Sequence, residues 1–219
     1  MHIQLVVYVR LILATLVSIT CIVGDNLLET TRHPLLKALC DNATHAIVGG
    51  LTGIAFIMHF YDKLSNVAGW TLIFACFAVS SFIDLDHFAA AKSLSLYAAT
   101  NLSDRPFLHC TTIPLVLVFV FAAASMLQYF KTSLVLGIVC CAFLTHHTRD
   151  AIRHGYWICP FGHTDRVPYS LYLIITIVTP YALFLLHSFC RGNFALLNFT
   201  MAGKYYDRTT QNGAKMFIV

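Results

Sequence analysis

The stretch LTHHTRDAIRHGYW, residues 144–157, spaces a histidine, an aspartate and a second histidine four apart. At 3.6 residues per turn, His146, Asp150 and His154 share one helical face, with Arg153 beside them and His147 turned away by about a quarter turn. An imidazole nitrogen and a carboxylate oxygen one turn apart suit a divalent cation such as zinc; the same pair can equally cap a helix by hydrogen bonding. A second cluster, SFIDLDHFAA at 81–90, sets Asp84, Asp86 and His87 at the end of the apolar run VAGWTLIFACFAVS. Asp84 and His87 are neighbours on a helix while Asp86 points elsewhere, which predicts local unwinding, one carboxylate ligating and another orienting a histidine. His45, in DNATHAIVGG, is expected at a helix start, with Asp41 upstream and Thr44 as its cap. His109, in DRPFLHCTTIP, follows an Arg105–Pro106 turn that can fold it back over the others.

The elements that must carry these residues are apolar. Of 219 residues, 58% are hydrophobic and 11% charged, and the mean hydropathy is +0.73, too apolar for an ordinary soluble domain. Continuous apolar runs without period-two alternation predict an all-α, polytopic transmembrane helical bundle. Segments at 3–23, 46–61, 67–83, 113–130, 133–146 and 169–190 give about five to six membrane segments. If every segment crosses, the connections 24–44, 84–112 and 147–168 lie on one side, and with them His45, Asp84, Asp86, His87, His109, His146, His147 and Asp150. The six crossings and a single shared polar site therefore support each other. In AIVGGLTGIAF, Gly49, Gly50 and Gly53 would let neighbouring backbones approach closely.

The net charge of +4 forms no basic stripe, which excludes a nucleic-acid partner. The cysteines are scattered without a CxxC pair and read as small buried hydrophobes. HIQLVVYVRLILATLVSITCIVG lacks a basic start, is interrupted by Arg10 and exceeds a signal-peptide core, so a first membrane helix or anchor is expected. Basic residues divide almost evenly between the two sets of connections, so charge bias assigns no orientation. The chain divides into a helical domain over 1–190, its site formed by 41–163, and a polar tail over 191–219, expected to be interfacial or mobile.

Together, His45, Asp84 or Asp86, His109, and His146 with Asp150 supply enough donors for one or two divalent metals, with room for water. Arg149, Arg153 or Arg105 would hold a phosphate, and Asp86 and Arg153 are the expected catalytic residues. GxSxG, HExxH and phosphate-loop motifs are absent from the sequence.

The order THAIVGG, IDLDH, RPFLHC, LTHHTRD and GYWICPFG resembles the YdjM family of bacterial inner-membrane metal-dependent hydrolases, over about residues 41–163. That family shows an early histidine, a PDIDH-like motif, an HRxxTH-like motif and a final HxxxD, and it is distantly similar to zinc-dependent phospholipases C. The whole chain also resembles the eukaryotic transmembrane protein 267 family. The resemblance implies metal contacts at His45, Asp84 or Asp86, His109, His146 and Asp150. Phe82 and Ile83 stand where the bacterial motif has its proline, RPFLH replaces HRxxTH, and the one glutamate, Glu29, cannot supply the later HxxxE of the soluble phospholipases, so a reduced cluster is implied. The expected function is metal-dependent hydrolysis of a phospholipid or other phosphoester in an endomembrane, with zinc the expected cation and membrane lipid the expected partner. The competing expectation is a catalytically silent membrane protein that keeps the cluster for helix packing. A metal or proton carrier would need polar residues in the other half of the membrane, where His59, Asp62 and His187 are found.

Overall fold

The structure is a computed structural model that describes the backbone of residues 2–214 and the side chains of residues 4–192. Helix α1 spans His2–Thr30 and α2 spans Pro34–Ile57, continued by a 3₁₀ turn over Met58–Lys63. Pro34 sits in the first turn of α2, where a missing N–H costs nothing, and His33 before it is extended. The expected connection at 24–44 is thus almost wholly helical and shrinks to residues 31–33. The polar residues there broke the apolar pattern but not the helix.

Helix α3 (Asn66–Phe82) starts at Ser65, whose hydroxyl accepts the Ala68 N–H at 3.2 Å. It ends in a 3₁₀ turn over Ile83–Leu85, the unwinding expected at IDLDH, followed by the short helices α4 (Asp86–Ala91) and α5 (Leu96–Thr100). Helix α6 (Thr112–Met126) is 15 residues long. A tight turn with Gln128 at φ 64 leads into α7 (Phe130–His154), which reaches well beyond the expected 133–146. α7 stops at Gly155, whose φ of +70 and contact with the Thr164 carbonyl leave no room for a Cβ. A minimal antiparallel pair, β1 (Trp157–Ile158) with β2 (Gly162–His163), precedes α8, Tyr169–Ala214. α8 runs on through the expected boundary at 190, and the side chains of the expected tail lie outside the described residues.

Helices α2 and α7 form the interior, and α1, α3, α6 and α8 pack around them. The glycine face of α2 meets α3, with a Cβ on Gly49 colliding with Ser80 and one on Gly53 meeting Cys76. Phe56, Phe121, Ile138 and Leu183 close the apolar core beneath. Outward, Trp70, Phe74, Phe119 and Phe189 are left uncovered, as on a lipid-facing surface. Five helices are long and apolar enough to cross a membrane by length and composition: Gln4–Thr30, Pro34–Lys63, Asn66–Ala91, Phe130–His154 and Tyr169–Gly192. The shorter α6 still joins both ends of the bundle. Thr111, just before it, bonds His147 at 3.2 Å, and Ser125 in its last turn bonds His187 at 2.9 Å.

Candidate metal centre

The C-terminal ends of α1, α3 and α7 meet the N-terminal parts of α2, α6 and α8 at one end of the bundle, and there the chemistry-bearing residues converge. His146 is fully buried in α7 and presents Nδ1 to the Ser80 carbonyl of α3 at 3.0 Å. A carbonyl can only accept, so the proton sits on Nδ1 and the Nε2 lone pair faces the cluster. His109 is turned the same way by Asp86, whose Oδ2 takes the His109 Nδ1–H at 3.3 Å and the Leu108 N–H at 2.8 Å. The 3₁₀ turn over Phe107–His109 thus makes one unit with Asp86, an arrangement that fixes tautomer and ring direction in metal-binding histidines.

The two Nε2 atoms lie 3.3 Å apart. Asp84 Oδ1 is 3.4 Å from both, and Asp150 Oδ2 is likewise 3.4 Å from both. These five donor–donor distances match the separation of about 3.4 Å that ligand atoms keep around a tetrahedral zinc with bonds of about 2.1 Å. The donor set of two imidazoles and two carboxylates also fits zinc or a similar divalent ion. His45 adds a further nitrogen. Its ring stacks on His146 at 3.8 Å, and its Nε2, buried and without a hydrogen-bond partner among the described residues, lies 3.5 Å from Asp150 Oδ1. His45, His146 and Asp150 form one metal-compatible group and Asp84, His87 and His109 another, and the contacts above join the two.

His109 lies outside the membrane-spanning helices. Burial disfavours its charged form, but hydrogen bonds with the carboxylates of Asp84 and Asp86 outweigh it and hold His109 above the usual imidazole range, so a proton on Nε2 competes with a cation for this position.

The structure thus brings together His45, Asp84, His109, His146 and Asp150, and it sets Asp86 behind His109 rather than among the inward-facing atoms. Several local expectations are corrected. His45 lies inside α2 rather than at its start, and the Thr44 hydroxyl donates back to the Cys40 carbonyl instead of capping. His154 is exposed and makes no hydrogen bond or ion pair among the described residues. Arg149 cannot reach a ligand. It is 1% exposed and held by Asp25 at 2.9 Å and Asp41 at 2.5 Å. Arg153 is paired with Asp150 at 2.7 Å and Asp41 at 3.3 Å. Arg105, 4.0 Å from Asp150 Oδ2 and part-exposed, is the guanidinium at the rim.

Sequence reasoning missed Asp25, which accepts from both Arg149 and the Tyr169 hydroxyl and so ties α1, α7 and α8. The signal was present as a lone acid inside the apolar stretch CIVGDNLL. It also missed His147, whose Nε2–H donates to the Leu108 carbonyl at 2.9 Å and so braces the turn carrying His109.

Transmembrane protein 267 of Xenopus laevis is 38% identical to this chain over 165 residues, covering 73% of this chain and 74% of that protein. The Mus musculus protein of the same name is 38% identical over 174 residues, 75% and 76% of the two chains. The Danio rerio protein is 39% identical over 166 residues, 74% and 73%. No family model matches the chain, and no solved structure matches it.

Proposed function

This chain belongs to the transmembrane protein 267 family and is a multi-pass membrane protein, and from that premise we propose that its His/Asp cluster is the zinc-type centre of a hydrolase acting on phosphoester or lipid substrates at headgroup depth. The observation that carries the reading is the set of equal 3.3–3.4 Å contacts among Asp84, His109, His146 and Asp150, with both histidines turned to offer Nε2. The order of motifs that resembles the YdjM-type hydrolases supports it.

In this reading His109, His146, Asp84 and Asp150 hold the cation, and His45 closes the buried side. When bound, a divalent cation supplies Lewis acidity toward an ester or phosphoester oxygen and makes water more acidic. Asp86 keeps His109 in its ligating tautomer, and so acts as a positioning residue. Asp84 is the most open corner, its side chain 26% exposed against 10% or less for the other three, so substrate and water approach from its side. Arg105, part-exposed beside Asp150, is suited to holding a phosphate oxygen. Arg153 steadies Asp150.

A second reading, a catalytically silent packing role, draws on the ion-pair chain Asp25–Arg149–Asp41–Arg153–Asp150, which links α1, α2 and α7 with no cation required. Metal analysis of the purified chain, joined to turnover screens on phospholipids and soluble phosphoesters, separates the two. The hydrolase reading expects about one divalent ion per chain, lost in His146→Ala, together with turnover that Arg105→Gln weakens. Stoichiometric metal without turnover leaves the packing role, and absence of metal removes the centre altogether.

A further inference from the structure

At the opposite end of the bundle the 3₁₀ extension of α2, the start of α7 and the Phe184–Arg191 stretch of α8 line a half-open cavity of about 500 Å³. Its polar lining is mostly cationic or hydrogen-bond-donating. Arg10 lies 3.4 Å from His59 Nδ1. A guanidinium can only donate, so the His59 proton sits on Nε2, which is buried and has no acceptor among the described residues. The Arg191 guanidinium rests over the Phe130 ring at 5.4 Å, with its Nη1 also buried and without an acceptor among the described residues. Among the described residues Lys63 forms no ion pair, and Asp62 is the one carboxylate in the lining. Phe60, Phe130 and Phe184 supply the apolar wall.

Buried donors without acceptors are costly, so a site built from them calls for an anion with several acceptor oxygens. A cavity of this size at a membrane boundary, its cations set against aromatic rings, fits an amphiphile whose charge sits at headgroup depth. We propose that this cavity binds an anionic phospholipid, its phosphate taken by His59, Lys63 and Arg191 and its glycerol backbone lying against the phenylalanines. The site is separate from the His/Asp cluster and does not depend on a hydrolytic role for it.

The test uses the full chain in detergent, titrated with phosphatidylglycerol or phosphatidylcholine and read by native mass spectrometry and thermal melting. Phosphatidylglycerol is expected to bind about tenfold or more tightly than phosphatidylcholine. Lys63→Gln should reduce that preference, and Lys63→Gln with Arg191→Gln should abolish it. Lys131→Gln, an exposed cation outside the cavity lining, and His146→Ala should leave it unchanged. Equal binding of the two lipids overturns the proposal, as does an equal loss in Lys131→Gln, which marks diffuse surface charge. Stabilisation by inorganic phosphate with no lipid preference overturns the lipid assignment in favour of a soluble phosphate.

Discussion

His109 and His146 meet Nε2 to Nε2 at 3.3 Å, although their Cα atoms belong to a loop and a helix separated by 37 residues. Each ring is locked from behind, one by Asp86 and the other by the Ser80 carbonyl, so the two lone pairs are aimed at each other and at Asp84 and Asp150. Two facing lone pairs repel unless a cation or a proton lies between them, and a divalent metal satisfies both at once. Zinc at about 100 times its dissociation constant should therefore stabilise the protein by about 2.7 kcal/mol, read as a rise in melting temperature that chelation reverses. His109→Ala and His146→Ala should erase the response. His147→Ala, which removes the bonds to Leu108 and Thr111 but no inward-facing donor, should keep it. A zinc response that survives His146→Ala would rule out this centre.

Asp86 makes a finer distinction. It touches the far nitrogen of His109, not the near one, so its carboxylate acts on the cation through the imidazole. Asp86→Asn keeps an acceptor for the Leu108 N–H but loses the charge that makes His109 a stronger donor, and metal affinity should fall about 10–100-fold rather than vanish. Isothermal titration measures this directly. Complete loss would instead make Asp86 a ligand, as the DLDH motif alone allows.

How much of this could be read beforehand depends on where each signal lives. The helical bundle and the gathering of His45, Asp84, His109, His146 and Asp150 at one end follow from apolar run lengths and from the side of the membrane on which each run ends. The length of α2 does not follow, because Asp41 and Asn42 look like a loop until Arg149 and Arg153 are seen to neutralise Asp41. The role of Arg149 is likewise invisible locally, since its partners lie 124 and 108 residues away and nothing in THHTRDAIRH separates a phosphate-binding arginine from a buried counter-ion. Asp86 could be assigned to a histidine in general, but which histidine, and which nitrogen, depends on the fold of the turn before α6.

Arg149 gives a prediction about stability rather than chemistry. Its guanidinium is enclosed by Asp25 and Asp41, both pointing to it from other helices. Arg149→Met leaves Asp25 with only the Tyr169 hydroxyl and Asp41 with only Arg153, and should cost about 3 kcal/mol, seen as lower yield and a lower melting temperature. The companion triple variant, with Asp25→Asn and Asp41→Asn added, should recover part of that loss. An Arg149→Met protein as stable as the parent would show that the network contributes nothing to holding α1 and α2 on α7.

The last prediction joins helix packing to the site. Gly49 of α2 lies against α3 where a Cβ would overlap the Ser80 side chain and stand 3.1 Å from the Cys76 carbonyl. Ser80 is also the residue whose carbonyl locks His146, so the close approach of α2 to α3 and the tautomer of a candidate ligand depend on the same contact. Gly49→Val must push the two helices apart, costing about 1–3 kcal/mol for overpacking. It should also release His146 and lower zinc affinity, although the substituted residue touches no donor atom. Gly69→Ala is the control, because a Cβ there meets only Ile57 at an ordinary 3.8 Å. Thermal melting with and without zinc reads both effects. If Gly49→Val destabilises the protein yet leaves its zinc response at the parental level, the Ser80 carbonyl is not what aims His146.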